Sequence, residues 1–330
     1  MPQTTLRAPH PAPHPAPRRS RERLPERAAL ARHEIVGPPD APLVVVLGGI
    51  SATAHVTASP LDPTPGWWSD VVGAGRGIDT TRYRVLGMDF LDGGRTEHGR
   101  PARTVTTHDQ ADAVARLLDL HGVDRVAAFV GASYGGMVAL AFAERHPARL
   151  ARLVAISAPH APHPMSTALR SLQRNLVKLG LESGRVHESL ALARGLAMTT
   201  YRSAREFGER FETTPVERTA GDATFAVERY LARHGERFAA AWRAERFLAL
   251  SLSSDLHRVD PARITTPTVV VAAEGDTIVP GEQLAQLAAS IAAPTRLVHL
   301  ASTRGHDAFL TEPDAVGRIL RVAIATTLVS

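Results

Sequence analysis

The chain has 330 residues, 44% of them hydrophobic and 22% charged, with no cysteine and a net charge of +5. That balance suits a soluble globular protein with a large core. It excludes disulfides, thiolate catalysis and Cys-ligated zinc, and no apolar run approaches the roughly 18–20 residues of a membrane-spanning helix. The positive charge is local: residues 1–32 carry seven arginines and two glutamates, and the rest of the chain is near neutral, with Lys178 its one lysine. This distribution reads as a solvated basic arm rather than a phosphate footprint, so no nucleic-acid partner is expected.

Residues 1–30, beginning "MPQTTLRAPHPAPHPAPRRSRER", are Pro-rich and poor in apolar residues. They are expected to be disordered and lack the apolar stretch of a secretory signal, which favours a cytoplasmic protein. Residues 31–162 and 261–330 then read as one α/β core. Short, valine-rich runs at Leu43–Leu47, Tyr83–Met88, Val126–Val130, Leu153–Ile156, Thr268–Ala272 and Arg296–Leu300 predict strands covered on both faces. Helical patterns such as Thr107–Leu120 and Gly136–Arg145 alternate with them, which argues for a mostly parallel sheet between helices. The alternation stops over residues 163–260. Helical runs at Ser166–Lys178, His187–Met198, Phe225–His234 and Arg237–Leu252, with no strand among them, predict a helical lid.

The stretch "FVGASYGGMVAL" carries the chemistry. A strand-like run ends in Gly131-Ala132-Ser133-Tyr134-Gly135, a G-x-S-x-G pattern, and a helical pattern follows at once. A strand–turn–helix in this form is a nucleophile elbow, in which small neighbours let the helix close onto the strand and lift the serine hydroxyl clear. In an open parallel sheet the partners of such a serine follow the carboxyl ends of later strands. Asp276 in "AEGDTIVP" and His306 in "ASTRGHDAFL" stand there, in the order Ser, Asp, His of an α/β-hydrolase triad. "VVVLGGIS" closes the first core strand on Gly48-Gly49; N–H groups near Gly49, with that of Tyr134, are candidates for an oxyanion hole. No metal motif and no dinucleotide fingerprint compete: "GAGRGID" at 73–79 lacks the strand before and the helix after it. Acyl transfer to an alcohol and ester hydrolysis remain open on these residues alone.

"LGGISATAHV", "PGWWSDVVGAGRGIDTTRYRVLGMDFL", "GASYGGMVAL", "ALRSLQRNLV", "LARGLAMTTYRS" and "RGHDAFL" together resemble the homoserine O-acyltransferases, from about residue 35 to the C-terminus. The resemblance implies an α/β-hydrolase fold with a helical lid, and a homodimer joined through lid helices. It implies an acyl-serine route from acetyl-CoA or succinyl-CoA to the hydroxyl of L-homoserine in methionine biosynthesis. Acyl-CoA is then a co-substrate, and no metal or cofactor is needed. By position it implies Ser133 as nucleophile, Asp276 as acid and His306 as base, with Arg194, Tyr201 and Asp307 at the substrate. Homoserine offers a carboxylate for a guanidinium and an ammonium for Asp307. Departures are Tyr134 where most members have methionine, and "DGGRTEHGRPAR" in place of a "GSTGP"-like loop. Ile278 stands where some succinyl-specific members carry arginine, which favours acetyl slightly. The "LGGISA" form and Arg304, beside His306, point to succinyl instead. Serine as acceptor, or an esterase with the same triad, is the alternative.

Overall fold

The computed structural model describes residues 31–325; the basic stretch of residues 1–30 lies outside the described residues. In chain order the elements are β1 (His33–Val36), β2 (Leu43–Leu47), β3 (Val72–Gly73), β4 (Ile78–Asp79), β5 (Arg84–Met88), α1 (Thr107–Leu120), β6 (Ala128–Ala132), α2 (Tyr134–Arg145) and β7 (Leu153–Ile156). There follow α3 (Pro164–Ser183), α4 (Val186–Tyr201), α5 (Ala204–Arg210), β8 (Glu217–Thr219), β9 (Asp222–Thr224), α6 (Ala226–Ala241) and α7 (Ala244–Asp255). The chain ends with β10 (Thr268–Ala273), α8 (Gly281–Ser290), β11 (Thr295–Leu300), α9 (Ala308–Thr311) and α10 (Pro313–Ala325).

Strand β2, Leu-Val-Val-Val-Leu, explains the architecture. Side chains alternate across a strand, yet every residue of β2 is buried, so both faces of the sheet must be covered. Leu43, Val45 and Leu47 join one cluster with Leu117, Leu118, Leu140 and Leu284, from α1, α2 and α8. Val44 and Val46 join another with Trp68, Val316 and Leu320, the last two from α10. The sheet runs β1-β5-β2-β6-β7-β10-β11. All its neighbours pair in parallel except β1, which lies antiparallel on β5. From β2 the chain goes to β5 on one side and to β6 on the other, and at such a switch point the strand ends leave a crevice for ligands.

Helices α3 to α7 stand between β7 and β10. Proline at the first position and His163, whose ring accepts the Met165 N–H at 3.2 Å, start α3; Gly184, at φ 72°, ends it. Val177, Leu190, Ala193, Ala239, Phe247 and Leu248 make a core of their own for this segment. Two details differ from the sequence reading. The helix break expected near Gly235 falls at Trp242 instead, because Gly235 lies within α6 where α4 crosses; a Cβ there would sit 2.5 Å from the Ala191 carbonyl oxygen. A short hairpin, β8–β9, occurs where only helix was predicted; it is largely exposed and has no apolar alternation to betray it. The edge strand β1, half-buried throughout, escaped for the same reason.

Candidate active site

Ser133 sits between β6 and α2 at φ 53°, ψ −119°, a conformation that non-glycine residues rarely adopt. The glycines around it allow this by close approach. A Cβ on Gly131 would lie 2.3 Å from the Gly135 carbonyl oxygen, and one on Gly135 would lie 2.2 Å from that of Leu47. The Gly135 N–H donates to the Gly48 carbonyl at 2.8 Å, which ties the elbow to the end of β2. Gly49 follows, and a Cβ built on it would lie 4.0 Å from Ser133 Cβ. Tyr134 opens α2, where N–H groups have no intrahelical acceptor.

Asp276 lies in the loop after β10 and His306 in the short turn after β11. The Ser133 Oγ is 2.7 Å from His306 Nε2, and His306 Nδ1 is 2.7 Å from Asp276 Oδ2. The other Asp276 oxygen accepts the N–H groups of Ile278 and Val279, both at 2.9 Å, so the carboxylate is fully engaged. His306 is 4% exposed. Burial draws its pKa down, but the charge and hydrogen bond of Asp276, helped by Asp307, outweigh burial and raise the pKa above the ordinary histidine value.

Two lobes of one crevice meet at Ser133, His306, Tyr201 and Ile50. The larger, about 200 Å³, holds Gly49, Trp67, Arg194, Tyr201, Asp307 and Phe309. Arg194 and Tyr201 are seven residues apart on α4, on one face. The Arg194 guanidinium lies 5.1 Å from the Tyr201 ring centre and 5.3 Å from that of Phe238, and pairs with no carboxylate among the described residues. The Tyr201 ring stacks on His306 at 6.0 Å. Asp307 meets Arg202 at 3.2 Å. Burial raises its pKa, against the pull of Arg202, His306 and Arg194. Seven of the eight site residues named from the sequence line this crevice, and the eighth, Asp276, stands behind His306.

The Tyr134 side chain turns into the core. Its hydroxyl is 2.7 Å from Ser253 Oγ on α7 and accepts from Gln110 at 3.4 Å; its ring meets Phe90 edge-on at 4.7 Å. Burial pushes its pKa up to about 12. Arg304 also turns away, to Glu206 at 2.8 Å, and lines neither lobe, so it is not placed to meet an acyl carboxylate. The smaller lobe, about 60 Å³, contains residues that sequence reasoning passed over: Ser166, Arg170 and Gln173 of α3, and Ser254 of α7. Of these, Arg170 pairs with Asp255, whose separation along the chain gave no local signal, while Ser166 donates to the Ile278 carbonyl and Ser254 to that of Leu250. Arg202, next to Tyr201 in "TTYRS", was equally unmarked. No cluster of metal-ligating side chains occurs among the described residues, and no helix there is long and apolar enough to cross a membrane.

The α/β-hydrolase fold family matches residues 42–313. A homoserine O-succinyltransferase of Xanthomonas campestris pv. campestris is 46% identical over 302 residues, covering 92% of this chain and 80% of that protein. A homoserine O-acetyltransferase of Leifsonia xyli subsp. xyli is 34% identical, covering 84% and 79%. The crystal structure of a homoserine O-acetyltransferase from Bacillus anthracis superposes with a TM-score of 0.80 over 90% of this chain and 92% of that one, at 15% identity.

Proposed function

This chain belongs to the homoserine O-acyltransferase family of the α/β-hydrolase fold, and on that footing we propose that it transfers an acyl group from an acyl-CoA to the side-chain hydroxyl of L-homoserine. The observation that carries this reading is the larger lobe. An unpaired guanidinium (Arg194) and a carboxylate (Asp307) stand in it together with the Ser133–His306 pair, matching the carboxylate, ammonium and hydroxyl of the acceptor.

The proposed route has two halves. Ser133 Oγ attacks the thioester carbon while its proton passes to His306 Nε2. The N–H groups near Gly49 and of Tyr134 hold the oxyanion. The carbon–sulfur bond breaks, and the imidazolium returns the proton to the departing thiol. The homoserine hydroxyl then gives its proton to His306 and attacks the acyl-serine; the Ser133 ester bond breaks, and the proton goes back to Oγ. Asp276 holds the tautomer that keeps Nε2 free to accept, and stabilises the imidazolium. Acyl-CoA is a co-substrate, and side chains and backbone N–H groups supply the rest of the chemistry. The helical segment would act as a lid, since α3 lines the smaller lobe and α4 lines both. Methionine biosynthesis in the cytoplasm is the setting this activity suits.

The test crosses acyl-CoA donors with homoserine and serine and follows thiol release. Homoserine should give the highest kcat/KM. A preference for serine, or equal thiol release with no acceptor, would favour the serine or esterase reading. Mass spectrometry should find one acyl group on the wild type and none on Ser133→Ala.

A further inference from the structure

The smaller lobe holds a positive charge that the protein does not neutralise. Arg170 and Arg174, four residues apart on α3, share the single carboxylate of Asp255. The Arg170 Nε donates to Asp255 Oδ1 at 2.7 Å, and Arg174 Nη1 lies 2.5 Å from Oδ2. Arg174 spends further donors on the carbonyl and hydroxyl of Ser251. The three side chains are 15%, 12% and 6% exposed, so one net charge is held largely out of water, which is costly unless an anion joins it. The Arg170 Nη2 is buried and lies 2.6 Å from the same Asp255 oxygen as Nε, and Arg170 lines the lobe. Beside it in the lobe, Gln173 is 5% exposed and its amide makes no hydrogen bond among the described residues. Arg170 stands near enough to the catalytic imidazole to pull its pKa down.

We propose that Arg170 and Gln173 form a carboxylate pocket for the far end of the acyl group, so that the donor is the CoA thioester of a short dicarboxylic acid, succinyl-CoA. This rests on the acyltransferase reading above and names its donor. The acceptor's charged groups already have Arg194 and Asp307 in the larger lobe, which leaves the smaller one to the acyl chain. A lobe of about 60 Å³ has room for roughly four to six water-sized groups, more than an acetyl methyl fills and close to the five heavy atoms of a –CH2–CH2–COO⁻ tail. The sequence sought a cation for that tail at Ile278, within the triad loop. Ile278 lines the same lobe, and the guanidinium reaches it from α3 instead.

The experiment measures acylation of Ser133 by succinyl-CoA and by acetyl-CoA, without acceptor, in the wild type, Arg170→Met and Gln173→Leu. Thiol release and the mass of the acyl-enzyme are the readouts. The wild type should favour succinyl-CoA in kcat/KM. Arg170→Met should lower the succinyl-to-acetyl ratio by about 10- to 150-fold, the worth of a charge-assisted hydrogen bond. Because Arg170 also holds Asp255, Gln173→Leu provides the control on folding; it breaks no hydrogen bond among the described residues and should lower the ratio several-fold. A wild type that takes acetyl-CoA as well as succinyl-CoA would overturn the proposal while leaving the acyltransferase intact. So would variants in which both rates fall together, or in which the loss appears as a raised homoserine KM with either donor. A wild type acylated by neither donor would instead overturn the acyl-serine route on which the proposal rests.

Discussion

His306 has Asp276 on one ring nitrogen and Ser133 on the other, with Asp307 next to it in the chain. A base must be neutral to accept the serine proton, and the neighbouring carboxylates favour its charged form. Activity should therefore fall with decreasing pH through a midpoint above 6.5, seen in kcat/KM for acyl-CoA, which reports the free enzyme. Asp307→Asn removes one of the charges that raise the pKa, so the acid limb should move to lower pH; a shift to higher pH would contradict the assignment. The task proposed for Arg194 is different. Arg194 touches the faces of Tyr201 and Phe238 and no carboxylate among the described residues, so its donors are free for an acceptor carboxylate. Arg194→Ala should lower kcat/KM for homoserine by about 2–3 kcal/mol, or roughly 30- to 150-fold. Hydrolysis of the acyl-enzyme by water should suffer less, and equal loss of both would make Arg194 structural.

The elbow is a property of an element rather than of a single residue. Its strand, turn and helix meet because Gly131 and Gly135 let backbones touch where a Cβ would not fit. Gly135→Ala would put a methyl 2.2 Å from the Leu47 carbonyl oxygen, with backbone on both sides. We expect a loss of about 3 kcal/mol or more, read as a lowered denaturation midpoint, together with loss of acyl transfer in whatever remains folded. An unchanged midpoint would show that β2 and α2 can separate without cost. Ser133→Ala is the contrast, since it removes one hydroxyl and no packing contact. Elements of this kind were legible in the sequence because their signals are local: valine runs, glycines and helical periodicity. Strand β1 and the β8–β9 hairpin lacked such signals. Gly235 gave a misleading one, since the same residue that breaks helices also permits two helices to cross closely.

At the scale of the whole molecule, α3 leaves Met165, Leu172 and Leu179 exposed by 60%, 55% and 61%. They recur every seven residues and so lie along one stripe of the helix; Leu192 on α4 is 63% exposed as well. A stripe of this kind suits a second copy of the chain, and we propose a homodimer through these helices. Replacing Leu172 and Leu179 together by arginine should shift the sedimentation of the protein from dimer to monomer. A wild type that is already monomeric at micromolar concentration would rule the dimer out. The same helix lines the smaller lobe with Arg170 and Gln173 on its inner side, so dissociation should also slow acylation, since α3 would lose its outer support.

The sequence by itself determined the alternation of strands and helices, the strained turn at Ser133, and the positions of Asp276 and His306 just past the ends of later strands. Each of these follows from residues within a few places of one another, where backbone propensity and hydrophobic patterning act. Only the tertiary structure decided which groups meet. The distances of 2.7 Å from His306 to Ser133 and to Asp276 join segments up to 173 residues apart. The pairing of Arg170 with Asp255 spans 85 residues, and the turn of Arg304 away to Glu206 spans 98. A charged side chain on a helix looks the same in sequence whether it faces water or a catalytic crevice. The burial that separates the two cases arises only when α3 is laid against α7 and over the sheet.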